Sequence, residues 1–278
     1  DNLRMGIQYD YFSVDTDKRS KNDIYYKTLT HEIDSISRNK EWVFDDDYYH
    51  TLNYYSLLKL DDKGKQIRFD FDLFSNRVKY HSENEVVNYL SNGDISDYTP
   101  DIPSDNLNRK NTDYNLRLDM EHPTDWIELN YGLGFSFLDI KNKIDYLNKN
   151  HETELISDLF TYKENKQAAY ISGNNSFGEK WNAQVGLRAE SSQVKTLSES
   201  TKERHSTNHT SLFPTLYISY NPGEKHNWNL NYGRRINRPN FMFLNPFKTQ
   251  ESPYAYTQGN PLLKASYSNN LELNYLYD

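Results

Sequence analysis

The sequence predicts an all-β chain, the wall of an antiparallel up-and-down transmembrane β-barrel with about ten strands, forming part of a larger barrel. Three observations predict it: apolar and polar residues alternate with period two, short connections alternate with long ones, and tyrosine is abundant. A β-strand sends successive side chains to opposite faces, so strict alternation marks a strand with one apolar and one wet face.

Alternation is clearest over residues 126–138. Ile127, Leu129, Tyr131, Leu133, Phe135 and Phe137 are interleaved with Glu128, Asn130, Gly132, Gly134 and Ser136. The pattern recurs at 3–11 (Leu3, Met5, Ile7, Tyr9, Tyr11), 67–73 (Ile67, Phe69, Phe71, Leu73) and 114–120 (Tyr114, Leu116, Leu118, Met120). Residues 181–189, 214–220, 228–232 and 271–277 continue the series, and two weaker strands are expected around 48–60 and 160–176. A tilted strand crosses a bilayer in roughly nine to eleven residues, which these runs approach.

The connections sharpen the reading. Short turns rich in Gly, Pro and charge fall at 61–65, 122–125, 177–180 and 222–225. Between them lie long polar stretches, expected to be loops, at about 15–47, 82–110, 139–158, 197–209 and 237–266. Short turns at one end and long loops at the other are the outer-membrane arrangement, whereas a Greek-key sandwich mixes lengths at both ends. Trp181 and Trp228 each open a strand after a short turn on the apolar register, where an interfacial aromatic belt would sit. Trp126 has the same topological place but the opposite register.

Composition agrees. Tyr (24) outnumbers Phe (13) and Trp (4) together, and a ring with a polar tip suits a surface that is apolar at one end and wet at the other. Mean hydropathy is −0.96, and no run reaches the roughly 18 apolar residues of a membrane helix; alternating strands cancel in such averages. The absence of cysteine removes disulfides, thiolate metal sites and cysteine nucleophiles. A net charge of −8 disfavours nucleic acid, whose phosphates need clustered Lys and Arg. The chain opens at Asp1 within an apparent strand, without the charged and apolar regions of a signal peptide, and so reads as mature or truncated.

Motifs for chemistry are missing. No nucleophile elbow, phosphate loop, dinucleotide fingerprint or H-E-x-x-H pattern occurs, so no catalytic residue is expected and the chain reads as a non-enzyme. Asp15-Thr-Asp17 begins like a calcium loop, but Lys18, Arg19 and Ser20 follow where ligands and the turn glycine belong. Asp45-Asp-Asp47 reads as a solvated charge run. His205 and His209 lie four apart in a polar stretch without helical period. No metal or cofactor is expected.

Several segments carry a family resemblance. Tyr232-Gly-Arg-Arg-Ile-Asn-Arg-Pro-Asn240, Leu244-Asn-Pro-Phe247, Tyr254-Ala-Tyr-Thr-Gln-Gly-Asn-Pro261 and Leu271-Glu-Leu-Asn-Tyr275 resemble a signature of TonB-dependent receptor barrels. Phe160-Thr-Tyr-Lys-Glu164, Ala169-Tyr170 and Gly186-Leu-Arg-Ala-Glu190 resemble consecutive strands of the same family, in order. The resemblance covers 160–277. It implies a bacterial outer-membrane location and import of a scarce or bulky nutrient, such as a siderophore, oligosaccharide or peptide. The implied partners are outer-membrane lipid, the nutrient, TonB through a plug not present in this chain, and a surface lipoprotein. It also implies about 22 strands around the plug, so residues 1–278 are expected to be a partial barrel domain lacking plug and terminal strands.

Arg234, Arg235 and Arg238, with Asn240, Tyr254 and Tyr256, form the candidate ligand-binding set, because arginine forks suit carboxylate or phosphate and tyrosine suits sugar or aromatic faces. Alternatively, these residues pair with lumen carboxylates and shape the loop. Two other functions stand beside transport: a barrel acting as adhesin or structural surface protein, and a soluble β-rich binding module.

Overall fold

A computed structural model of the chain describes residues 2–97, 104–147, 155–252 and 255–277. Strands β1 (Leu3–Lys27), β2 (Ile33–Lys59), β3 (Gln66–Leu90), β4 (Ser104–Pro123), β5 (Glu128–Leu147), β6 (Leu155–Phe177), β7 (Trp181–Ser198), β8 (Arg204–Gly223) and β9 (His226–Asn237) follow one another. A 3-10 helix (Phe241–Leu244), a hairpin of β10 (Lys248–Ser252) and β11 (Ala255–Gln258), and β12 (Ser266–Tyr277) complete the order. Strands β1 to β9 and then β12 make one ten-stranded sheet in which each strand pairs with the next, and the sheet is not closed into a ring. The up-and-down antiparallel architecture and the ten strands expected from alternation are both present.

The register explains why the pattern works. One cross-strand row reads Leu3, Leu58, Ile67, Met120, Tyr131, Ile171, Leu187 and Pro214 over eight strands, and it is apolar throughout. On the opposite face a row reads Gln8, Asn53, Asp72, Asn115, Ser136, Lys166, Ser192 and His209, all polar. Because the side-chain period is two, a one-residue slip of any strand would put its apolar set among the polar row. The apolar face is bare: Met5, Ile7, Ile171, Val185, Leu271 and Leu273 are each more than half exposed. An exposed apolar surface of that extent calls for lipid or a partner.

The expected long loops differ from what is found. Pairing of β1 with β2 continues to Lys27 opposite Ile33, so most of 15–47 is strand. Most of 82–110, 139–158 and 197–209 is likewise strand, in arms that prolong β3 to β8 beyond the apolar rows. In these arms apolar residues such as Val78, Ile140, Ile144, Phe160 and Tyr162 fall on the inner register, so the alternation of the apolar rows does not continue there, while the backbone ladder, indifferent to side-chain polarity, carries on. Among the described residues, the stretch 237–266 leaves the ten-stranded sheet. Its departure is prepared at Pro214, which has no N–H to donate: β8 pairs with β9 only from Thr215 onward, and a proline fits a strand where the ladder is open.

Gly132 shows how closely the inner face is packed. Tyr170 lies across it from the neighbouring strand, and its hydroxyl donates to Asp119. A Cβ on Gly132 would come within 2.6 Å of that hydroxyl and 2.5 Å of the Leu118 carbonyl oxygen, whereas one on Gly134 would find its nearest neighbour 4.0 Å away. Gly132→Val should therefore lower stability by about 1–3 kcal/mol, while Gly134→Ala leaves it unchanged, read as urea midpoints of the full-length protein in vesicles.

Candidate functional site on the inner face

From the end of β9 the chain turns inward and lays the described residues of 238–265 against the polar face, as a strap held by its own polar side chains. Asn240 accepts from the Met242 N–H at 3.0 Å and caps the 3-10 helix, and Asn245 accepts from the Phe247 N–H at 3.1 Å. The Gly259 N–H reaches the Asn245 carbonyl at 2.8 Å and the Asn260 N–H reaches the Phe243 carbonyl at 2.7 Å. These bonds join the Asn-Pro-Phe and Gly-Asn-Pro segments. A Cβ on Gly259 would come within 2.6 Å of both carbonyl oxygens, so this crossing requires glycine.

The strap is docked by packing and by charge. Leu244 is buried against Ile140, Phe160 and Tyr162, and Phe247 against Ile144 and Tyr146. Burying a large apolar side chain contributes about 1.5–3 kcal/mol. Arg238 lies between two buried carboxylates, with Nε 3.3 Å from Glu164 Oε1 and Nη2 bonded to Glu190. Glu190 also takes Arg188 at 3.0 Å, and Glu164 accepts from Tyr162 at 3.2 Å and Ser192 at 3.4 Å. Burial, followed by the charge of Glu164, pushes the Tyr162 phenol up, so the hydroxyl keeps its proton and remains a donor. A guanidinium fork suits two carboxylates in a way that a lysine point charge does not.

Between strap and sheet lies a cavity of about 240 Å³, lined by Tyr162, Thr196, His205, His209, Arg238, Leu244, Lys264 and Tyr267 among others. Its chemistry is mixed. Tyr162, Leu244 and the ring of Tyr267 supply apolar surface, while His205, His209 and Lys264 supply donors. The Nε2 atom of His209 is buried without a hydrogen-bond partner, and the Tyr267 hydroxyl lies 2.7 Å from Ser211 Oγ. Nearer the tips of the arms the inner face is acidic. Burial and the charge of Glu41 push Asp105 up to about 6, and burial and Asp47 raise Asp45. Among the described residues no cluster could hold a metal ion.

The candidate residues scatter. Arg238 lines the cavity, and Asn240 caps the 3-10 helix beside it. Arg234 lies over the Tyr267 ring at 4.8 Å, and Arg235, the next residue of β9, is exposed on the other face; the three arginines do not converge. Tyr256 is exposed, with the Lys248 Nζ over its ring at 4.7 Å, and Tyr254 falls outside the described residues. Glu164 and Glu190 were not anticipated, although each ends one of the family-like segments on the inner register. Trp181 and Trp228 belong to one row, Phe177, Trp181, Tyr220, Trp228 and Tyr275, on the apolar face at the short-turn end. Trp181 stacks on Tyr220 at 4.0 Å, and Trp228 lies 4.3 Å from Tyr275. Trp126 precedes β5, is 70% exposed and stands outside that row.

An antiparallel meander with a bare apolar face, a polar face and short turns at one end defines the class of outer-membrane barrel walls. The chain belongs to the outer membrane protein beta-barrel family, whose model matches residues 58–278. It is therefore a protein of the bacterial outer membrane, and the soluble-module alternative is set aside. No curated protein matches the chain. Similar solved structures include the siderophore receptor PiuA from Acinetobacter baumannii (8% identity, 99% of this chain and 54% of that one, TM-score 0.45). The alcaligin outer-membrane receptor FauA from Bordetella pertussis (12%, 98% and 48%, 0.42) and the ferric yersiniabactin uptake receptor FyuA from Yersinia pestis (12%, 96% and 47%, 0.42) are also similar. The chain spans about half the length of these structures.

Removing one member of a buried ionic cluster strands the others, at a cost of about 3–5 kcal/mol. Arg238→Met should therefore loosen the strap without unfolding the sheet. In limited proteolysis of the full-length protein, cleavage within 238–265 should rise at least tenfold while the circular dichroism of the strands is unchanged.

Proposed function

We propose that this chain is part of the wall of a TonB-dependent receptor that binds a scarce or bulky nutrient, a siderophore, oligosaccharide or peptide, and imports it without covalent chemistry. The observation that carries the reading is the strap: the segment with the family-like signature is folded onto the inner face and encloses a cavity there. Family membership and the resemblance over 160–277 support it. In this reading the ten strands are completed by others, because an open sheet edge is not tolerated in lipid. TonB acts through a plug outside this chain, and a surface lipoprotein assists capture. Arg238 is retained from the candidate set, and His205, His209 and Lys264 join it as ligand contacts. Trp181 and Trp228 act as anchors at the membrane interface.

The long paired arms favour a second reading, in which they serve a surface adhesin without transport. Uptake separates the two. Cells lacking the full-length gene should lose TonB-dependent accumulation of a nutrient drawn from a panel of ferric siderophores, oligosaccharides and peptides, and wild-type protein should restore it. His209→Phe, which fills the cavity, should raise the half-saturating concentration about tenfold or more at equal protein level. Unchanged accumulation of every panel member in the deletion strain, together with lost surface adhesion, would establish the adhesin reading.

A further inference from the structure

Pro214 opens a notch in the wall. Strand β7 pairs with β8 up to Leu197 opposite Arg204, but β9 joins β8 only from Thr215, so residues 204–214 form a free edge inside the sheet. The Ser198 N–H reaches the Glu203 carbonyl at 3.1 Å and the Asn221 N–H reaches the Lys180 carbonyl at 2.8 Å. Antiparallel bonds to one neighbour recur at every second residue, so the odd residues from 205 to 213 bond β7. Arg204, Ser206, Asn208, Thr210 and Leu212 therefore direct their N–H and C=O groups into the notch. All five residues are exposed, and no described residue bonds these backbone groups.

A free edge is a template for another strand, and it is normally blunted by lysine, proline or a bulge. From Ser206 to Leu212 the edge has none of these. Tyr267 sets the floor of the notch, with its hydroxyl 2.7 Å from Ser211 Oγ. The run above it, 204–210, accepts an added strand of about seven residues at ~3.3 Å each.

The side chains of the same strand point into the strap cavity, which His205 and His209 line. At about 240 Å³ the cavity is smaller than the roughly 300–1,000 Å³ of a site that encloses a whole small ligand, so it suits one part of a ligand held elsewhere. Its charge selects that part. Arg238 is matched by Glu164 and Glu190, but Lys264 has no carboxylate within ion-pair distance among the described residues, and His209 Nε2 is buried without a partner. An acidic side chain would satisfy both.

We infer that the notch takes an extended peptide, which adds a strand to β8 through its backbone and seats an acidic side chain in the strap cavity against His209 and Lys264. An oligosaccharide or a siderophore offers no ladder of N–H and C=O groups at the spacing of this edge. The inference deepens the proposed function by choosing peptide among its ligand classes; it rests on the cavity being a ligand site and not on import.

The test uses the full-length protein in mild detergent and libraries of seven-residue peptides, randomised except for a central glutamate, glutamine or lysine, with retention read by mass spectrometry. The glutamate library should be retained at least tenfold more than the lysine library, and Lys264→Gln should erase that preference. N-methylation of one alternate set of peptide amides should abolish retention and of the other set should spare it, since only every second N–H faces β8. Asn208→Pro, which removes an edge N–H and leaves every bond to β7, should bind at least tenfold more weakly, whereas Asn208→Thr, which keeps the N–H and controls for folding, should bind as the wild type does. No retention of any library, equal retention of all three, equal loss from both methylated sets, or full retention by Asn208→Pro would each overturn the inference. So would a wild-type dimer that Asn208→Pro makes monomeric, because the edge would then join two copies. Peptide retention without uptake of any nutrient would count against import and leave this inference standing, while uptake of a siderophore or oligosaccharide without peptide retention would do the reverse.

Discussion

A strand that crosses hydrocarbon has no water to bond, so its backbone N–H and C=O groups must be met by neighbouring strands. The ten-stranded ladder is the answer to that constraint, and the rest of the structure follows from it. Each strand must lie flat in the ladder, so its side chains divide between two faces. One face meets lipid and must be apolar, and the other is free to be wet. The eight-strand row from Leu3 to Pro214 and its polar counterpart from Gln8 to His209 are two sides of one requirement. The edges β1 and β12 show where the same requirement is still to be met by further strands in the proposed receptor.

With lipid excluding polar groups from one face, recognition is confined to the other. The inner face uses that freedom by becoming partly a protein interior: Phe160 and Tyr162 are buried on it, as are Glu164 and Glu190. Apolar contacts at Leu244 and Phe247 hold the strap down, and Arg238 fixes its position through two carboxylates that would be costly to leave unpaired. A segment held by a few such contacts can move as a unit while the ladder beneath it stays intact. In the proposed receptor, such a division suits a rigid wall and a ligand site that must change.

How legible this was depended on whether one face was apolar and the other not. Strand β5 was plain because Leu129 to Phe137 alternate with small and polar residues. Strand β2 was faint because Tyr48 and Tyr49, Tyr54 and Tyr55, and Leu57 and Leu58 put rings or aliphatic groups on both faces; Tyr55 lies on the inner side over Gly6. Strand β6 was faint because its inner residues Phe160 and Tyr162 are apolar and receive the strap. The arms were hidden because their apolar residues, Val78, Ile140 and Ile144 among them, change to the inner register and break the alternation of the bare face. Arg238 stood out as part of a basic cluster, but its carboxylate partners are distant in sequence and meet it only through the fold, and Arg234 and Arg235 were grouped with it by proximity along the chain.

The central claim is that the two faces of the sheet meet different solvents, and β5 tests it most directly because the chain contains no cysteine. Single cysteines placed in turn at positions 129–131 and 133–136 of the full-length protein, in intact outer membranes, would be probed with a water-soluble thiol reagent and a lipid-borne quencher. The account predicts alternation. Positions of Asn130, Gly134 and Ser136 should react with the aqueous reagent, and those of Leu129, Tyr131, Leu133 and Phe135 should respond only to the lipid probe. Equal aqueous reactivity at every position would contradict it.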